Sequence, residues 1–121
     1  MTKIFDARIS QVGPEAQDMI PGANMFILFG ANAPTDLAEF CFTLDNHVLV
    51  REIEVGHHLL LDGQSYLITA VGDVVNKNLS ALGHISVSLD GASQASLPGT
   101  MHIQVEQAPE IHVGSQVQIV A

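Results

Sequence analysis

The sequence predicts an all-β protein: a small closed or partly closed β-barrel of short strands with one or two short helices. Two observations carry this expectation. Apolar and β-branched residues come in short runs, many alternating with polar residues at the period of two that marks a half-buried strand. Turn-forming pairs separate most of these runs: Gly13-Pro14, Pro21-Gly22, Ala33-Pro34, Asp45-Asn46, Asp62-Gly63, Asp90-Gly91 and Pro98-Gly99. No long helical pattern alternates with the strands, which argues against a doubly wound fold.

In chain order the runs predict strands over Lys3–Gln11, Asn24–Gly30, Phe40–Leu44, His47–Ile53, His58–Asp62, Ser65–Val71, His84–Asp90, Met101–Glu106 and Gln116–Val120. Asp62-Gly63 has the best hairpin chemistry, because glycine accepts positive φ and aspartate tolerates it. Thr35–Phe40, following Pro34, suits a helix of about one and a half turns. A second helix fits Asn78 as N-cap, Leu79 to Leu82 as its body and Gly83 as its left-handed terminator. Val55-Gly56 and Val113-Gly114 each stand two residues before an apolar run, and read as two similar strand starts at barrel corners rather than as a repeat array. Ala92–Ser96 reads as a mobile loop.

With 121 residues, the chain suits one domain spanning 1–121. Hydrophobic residues make up 47% and charged residues 14%, which excludes a disordered chain. Thirteen acidic residues against four Lys plus Arg give a formal charge of −9. Phosphate backbones and anionic lipid would repel such a surface, so nucleic acid and direct membrane insertion are poor partners and a basic protein a better one. Met1–Asp6 lacks the apolar core of a secretory signal, and no apolar run approaches the ~20 residues of a membrane span. The expected location is the cytoplasm. Exposed strand edges leave pairing into a homo-oligomer open.

The six histidines are the chemically informative residues. In His84–Leu89, Ile85, Val87 and Leu89 share the core face and His84 the outer one. In Met101–Glu106, Met101, Ile103 and Val105 point inward and His102 outward. If the two strands neighbour each other, two imidazoles share one accessible surface. A neutral imidazole is a nucleophile that can accept a phosphoryl group when its other ring nitrogen is held by a hydrogen bond. A second imidazole, or hydroxyls such as those of Ser86 and Thr100, can orient it or stabilise phosphoryl oxygens. The bland alternative is that each is a surface histidine without a task.

Other candidates are weaker. His57 and His58 are adjacent, so on a strand they face opposite ways and do not share a metal. Neither they nor any other residues form a zinc-type cluster, and no metal or cofactor is expected. His112 falls in a loop, and His47 follows the Asp45-Asn46 turn. Cys41 has acidic rather than basic neighbours in sequence, which predicts packing rather than nucleophilic use. No P-loop, dinucleotide fingerprint or serine-hydrolase elbow is present.

Four blocks together carry a resemblance: Ala33–Phe42 (APTDLAEFCF), Tyr66–Gly72 (YLITAVG), Asn78–His84 (NLSALGH) and Leu97–His102 (LPGTMH). In this order, and across nearly the whole chain, they resemble the glucitol/sorbitol-specific IIA components of the bacterial sugar phosphotransferase system. The resemblance implies a cytoplasmic phosphotransferase component. It would accept a phosphoryl group from the basic phosphocarrier HPr on a histidine and pass it to the IIB domain, coupled to sorbitol uptake through IIC. It also implies an acceptor a few residues after the Cys41-Phe42 segment, where this chain has Thr43, Leu44, Asp45 and Asn46 before His47. His84 and His102 lie inside matching blocks, so His84 is the expected acceptor with His102 as partner, and His47 is the alternative. A non-catalytic binding module of the same family is the competing reading.

Overall fold

In the computed structural model, which describes residues 2–121, eight strands close into a barrel in the order β1-β3-β2-β6-β7-β5-β4-β8. The strands are β1 Lys3–Val12, β2 Met25–Phe29, β3 Cys41–Leu44, β4 His58–Leu61, β5 Gln64–Val71, β6 Ile85–Ser88, β7 Thr100–Ile103 and β8 Gln116–Val120. Helices α1 Met19–Ala23, α2 Thr35–Ala38 and α3 Val75–Leu82 occupy three connections. Two neighbouring pairs, β2–β3 and β6–β7, are parallel; the others are antiparallel. Closure pairs every strand on both sides and removes the free edges on which strands of separate copies could pair.

Alternation fills the interior. Ile4, Phe5, Phe26, Phe42, Leu59, Ile68, Ile85, Met101, Ile103 and Val117 come from all eight strands and form one buried cluster. Phe26 and Phe42 meet edge to face with ring centroids 6.2 Å apart. Asp62 and Gly63 take φ of 49° and 85°, as their hairpin requires.

The barrel is built from two equivalent halves. Gly13 N–H donates to the Cys41 carbonyl and Gly72 N–H to that of Thr100, both at 2.9 Å, a constant step of 59 residues. The same step relates Val12↔Phe42 to Val71↔Met101, and the bulge between Ile9 and Gln11 to that between Ile68 and Ala70. It also relates the left-handed caps Asn24 and Gly83, with φ of 53° and 70°. The Val-Gly echo belongs to this pattern: Gly56 N–H donates to Ile68 O, and Gly114 N–H to Ile9 O. The two strand starts are pseudo-twofold mates, a wider relationship than two similar corners.

Three expectations change. His47–Ile53 is not a strand, because its backbone is bonded elsewhere: Val48 N–H donates to Asn46 Oδ1, Val50 N–H to Ile4 O, and Ile53 exchanges two bonds with the Asn76 side chain. The Pro21-Gly22 break lies inside α1, where proline occupies the first turn and its missing N–H has no partner to lose. The N-cap of helix α3 is Val74, four residues before the expected Asn78, while Gly83 terminates the helix as predicted.

Candidate functional site

The expected pair His84 and His102 is not brought together. Ser86 pairs with Thr100 and Ser88 with His102, so the level of His84 lies four residues from His102, about 13 Å along the sheet. His102 does sit on the outer side of β7, opposite Met101 and Ile103, but it is 1% exposed rather than accessible. The segment from Asp90 to Ser96 covers it. Its Nδ1 lies 2.7 Å from Asp90 Oδ1, and its Nε2 accepts the Ser96 N–H at 3.1 Å. Because a carboxylate only accepts, Nδ1 carries the proton. The hydrogen bond from His102 is the main cause holding the Asp90 carboxyl below its ordinary value. With both nitrogens engaged, this imidazole is a clamp for the loop. Alternation revealed its side of the sheet but not a cover supplied from several residues away.

His84 instead follows Gly83, the residue that comes close to His47. The two histidines flank a glycine contact between the end of β2 and the cap of α3. Gly30 N–H donates to Leu82 O at 3.0 Å. A Cβ on Gly83 would stand 2.8 Å from Gly30 N and 3.3 Å from His47 Cβ. One on Gly30 would stand 3.3 Å from His47 Cδ2. Only glycines permit this approach. His84 follows Gly83 directly, and its ring meets that of Phe29 edge-on with centroids 4.5 Å apart.

The two imidazoles differ in what holds them. His47 Nδ1 lies 2.7 Å from the Ser80 carbonyl in the last turn of α3. A carbonyl can only accept, so Nδ1 bears a proton, and in the neutral ring the lone pair lies on Nε2. Among the described residues, His84 Nδ1 is buried without a hydrogen-bond partner. Burial pushes the His84 pKa below its ordinary value and favours the neutral ring. The geometric condition set by the chemistry, a far nitrogen held by a hydrogen bond, is thus met at His47. Sequence gave no sign of the Ser80 carbonyl, which is a backbone group.

The remaining candidates have structural roles or none. His57 is buried and its Nδ1 accepts the Glu54 N–H, while His58 opens β4 half-buried. His112 is exposed in a turn. Cys41 is fully buried with Sγ 3.2 Å from Leu37 O, and desolvation raises its pKa to about 11. Among the described residues no group of three or more His, Cys, Asp or Glu side chains is placed to hold a metal. No described helix is long and apolar enough to cross a membrane.

Comparison with known proteins agrees with this architecture. In solved structures, a phosphotransferase-system IIA component from Enterococcus faecalis V583 matches 97% of this chain and 100% of its own, with a TM-score of 0.84 and 23% identity, a likeness of fold. Curated glucitol/sorbitol-specific EIIA components from Shigella flexneri and from Escherichia coli K12 are each 36% identical over 115 residues, covering 95% of this chain and 93% of theirs. The family profile described as "PTS system glucitol/sorbitol-specific IIA component" matches residues 4–118. The chain therefore belongs to the glucitol/sorbitol-specific IIA component family of the sugar phosphotransferase system.

Proposed function

We propose that this protein is a cytoplasmic phosphocarrier that takes a phosphoryl group from phosphorylated HPr onto His47 and delivers it to the sugar-specific IIB domain in sorbitol uptake. The observation that carries this reading is the bond from His47 Nδ1 to the Ser80 carbonyl, which leaves Nε2 as the nucleophile. In the step, Nε2 attacks phosphorus as the donor's phosphorus–nitrogen bond breaks, and that electron pair returns to the donor imidazole. The Nδ1 proton stays on the ring, where the Ser80 carbonyl stabilises the positive charge that develops. Transfer to IIB reverses the roles. His84, neutral and wedged against Phe29, forms the adjoining wall.

Exposed apolar side chains adjoin the site, Val48 beside His47 and Leu82 beside Gly83. They suit a protein partner that docks transiently and excludes water from the transferring group. The net charge of −9 favours encounter with a basic donor.

The competing reading, a non-catalytic binding module, rests on residues 43–46, which carry no histidine where the family resemblance places the acceptor. Intact-mass spectrometry after incubation with phosphoenolpyruvate and the general phosphotransferase proteins separates the two. One added phosphoryl group, lost in His47→Ala and retained in His102→Ala, is the expected result. Loss in His84→Ala alone would move the acceptor to His84. No addition to the wild-type chain would establish the module.

A further inference from the structure

We infer that Arg51 and Lys77, with His47, form a binding site for a tetrahedral oxyanion, which on the phosphocarrier reading of His47 is the phosphoryl group in transit. The chain has four Lys and Arg residues. Two are engaged away from this site: Lys3 pairs with Asp6 at 3.2 Å, and Arg8 donates to the Gly114 carbonyl at 3.2 Å. Arg51 and Lys77 are exposed and take part in no ion pair or side-chain hydrogen bond among the described residues.

The fold ties together the two segments that carry them. The segment after β3 is tied to α3 at two points: His47 Nδ1 to Ser80 O, and the Asn76 amide to both the N–H and the carbonyl of Ile53, at 2.6 and 3.2 Å. The segment thus runs antiparallel to the helix, with Arg51 between its two anchors. Lys77 lies between the corresponding anchors on the helix, which are four residues, or about 6 Å, apart. The bidentate tie at Asn76 has no task in the barrel ladder, and it fixes the stretch that carries Arg51.

Electrostatics gives this arrangement a purpose. His47 leans on the last turn of α3, where the carbonyl end of the helix dipole concentrates partial negative charge. The chain as a whole carries −9. An oxyanion at Nε2 therefore enters an unfavourable field unless cations are held nearby, and these two are the ones available. Arginine adds a planar fork of donors suited to phosphoryl oxygens.

The test has two readouts on the full chain. Inorganic phosphate is titrated into the wild type and into R51Q/K77Q, followed by backbone and side-chain NMR. Shifts confined to His47, Arg51, Lys77 and the residues beside them, abolished in the double variant, are expected. Phosphorylation by phospho-HPr is then timed at low and high salt. The double variant should react about tenfold more slowly at low salt, with a flatter salt dependence, while folding normally. A confined phosphate response in a wild-type chain that HPr does not label would uphold the oxyanion site and reject the carrier reading. Phosphate shifts scattered over the surface, together with unchanged transfer rates in R51Q/K77Q, would overturn the site.

Discussion

His47 Nδ1 stands 2.7 Å from the carbonyl oxygen of Ser80, a contact between an irregular loop and the last turn of a helix 33 residues away. It sets the tautomer of the imidazole and points the lone pair at the other nitrogen. Replacement by glutamine keeps polar character but removes the nucleophile, so His47→Gln should fold normally and gain no phosphoryl mass. A variant still labelled at wild-type level would reject His47 as the acceptor.

His102 makes a contrasting prediction. Its Nδ1 and Nε2 join Asp90 and Ser96 across the segment that covers it. His102→Ala should lose stability by about 1–3 kcal/mol in urea unfolding, because it leaves a buried cavity and an unpaired Ser96 N–H. Phosphorylation of the folded fraction should persist. Abolished labelling in a stable variant would return His102 to the reaction.

Gly13 and Gly72 should be equally intolerant of a side chain. A Cβ on Gly13 would lie 2.3 Å from Glu39 O, and one on Gly72 would lie 2.2 Å from Pro98 O. Both oxygens are backbone and cannot rotate away. Each Gly→Ala change should cost about 3 kcal/mol or more, and the two losses should be alike because the positions are pseudo-twofold mates. Thermal unfolding of the two variants checks both points.

Acid sensitivity should include two components with the same sign, one from Asp62 and one from His84. Asp62 accepts from the Gln116 N–H and the Ser115 hydroxyl, both at 2.8 Å, and the Gln116 bond is the main cause lowering its pKa. Its stabilisation is present above the ordinary carboxylate value of 3.8 and is lost as pH falls through the depressed one. For His84 the unfolded chain takes up a proton first, near 6.5, while the folded ring resists it until lower pH. Stability should therefore begin to fall below about pH 6.5. In H84N that upper part of the slope should vanish, and in D62N, which keeps the left-handed turn, the lower part should weaken.

Cys41 should be silent to alkylating reagents in the native protein. Its thiol is buried and its pKa raised to about 11, so thiolate is scarce at neutral pH. Rapid modification by iodoacetamide under native conditions, without unfolding, would contradict this placement.

The all-β barrel was legible in the chain because strand alternation and turn chemistry are local. Ile85, Val87 and Leu89 face the core as their spacing requires, Asp62-Gly63 turns as its residues allow, and Gly83 ends α3 in the left-handed region. Helix α1 and the irregular path of 47–53 were not legible. In both, what matters is which backbone donors and acceptors find partners: Pro21 loses nothing in a first turn, and Asn76 takes the place of a neighbouring strand.

By itself the sequence determined the class of fold, the family, the inward face of most strands and the use of Cys41 in packing. These depend on residue type and short-range period. Which histidine is free, and which is held, was decided only by the tertiary structure. His84 and His102 look alike along their strands, yet one follows a glycine that comes close to His47 and the other is sealed beneath a loop. Accessibility and tautomer are set by groups that arrive from elsewhere in the chain, here the Ser80 carbonyl and the Ser96 N–H, and no local pattern encodes their arrival.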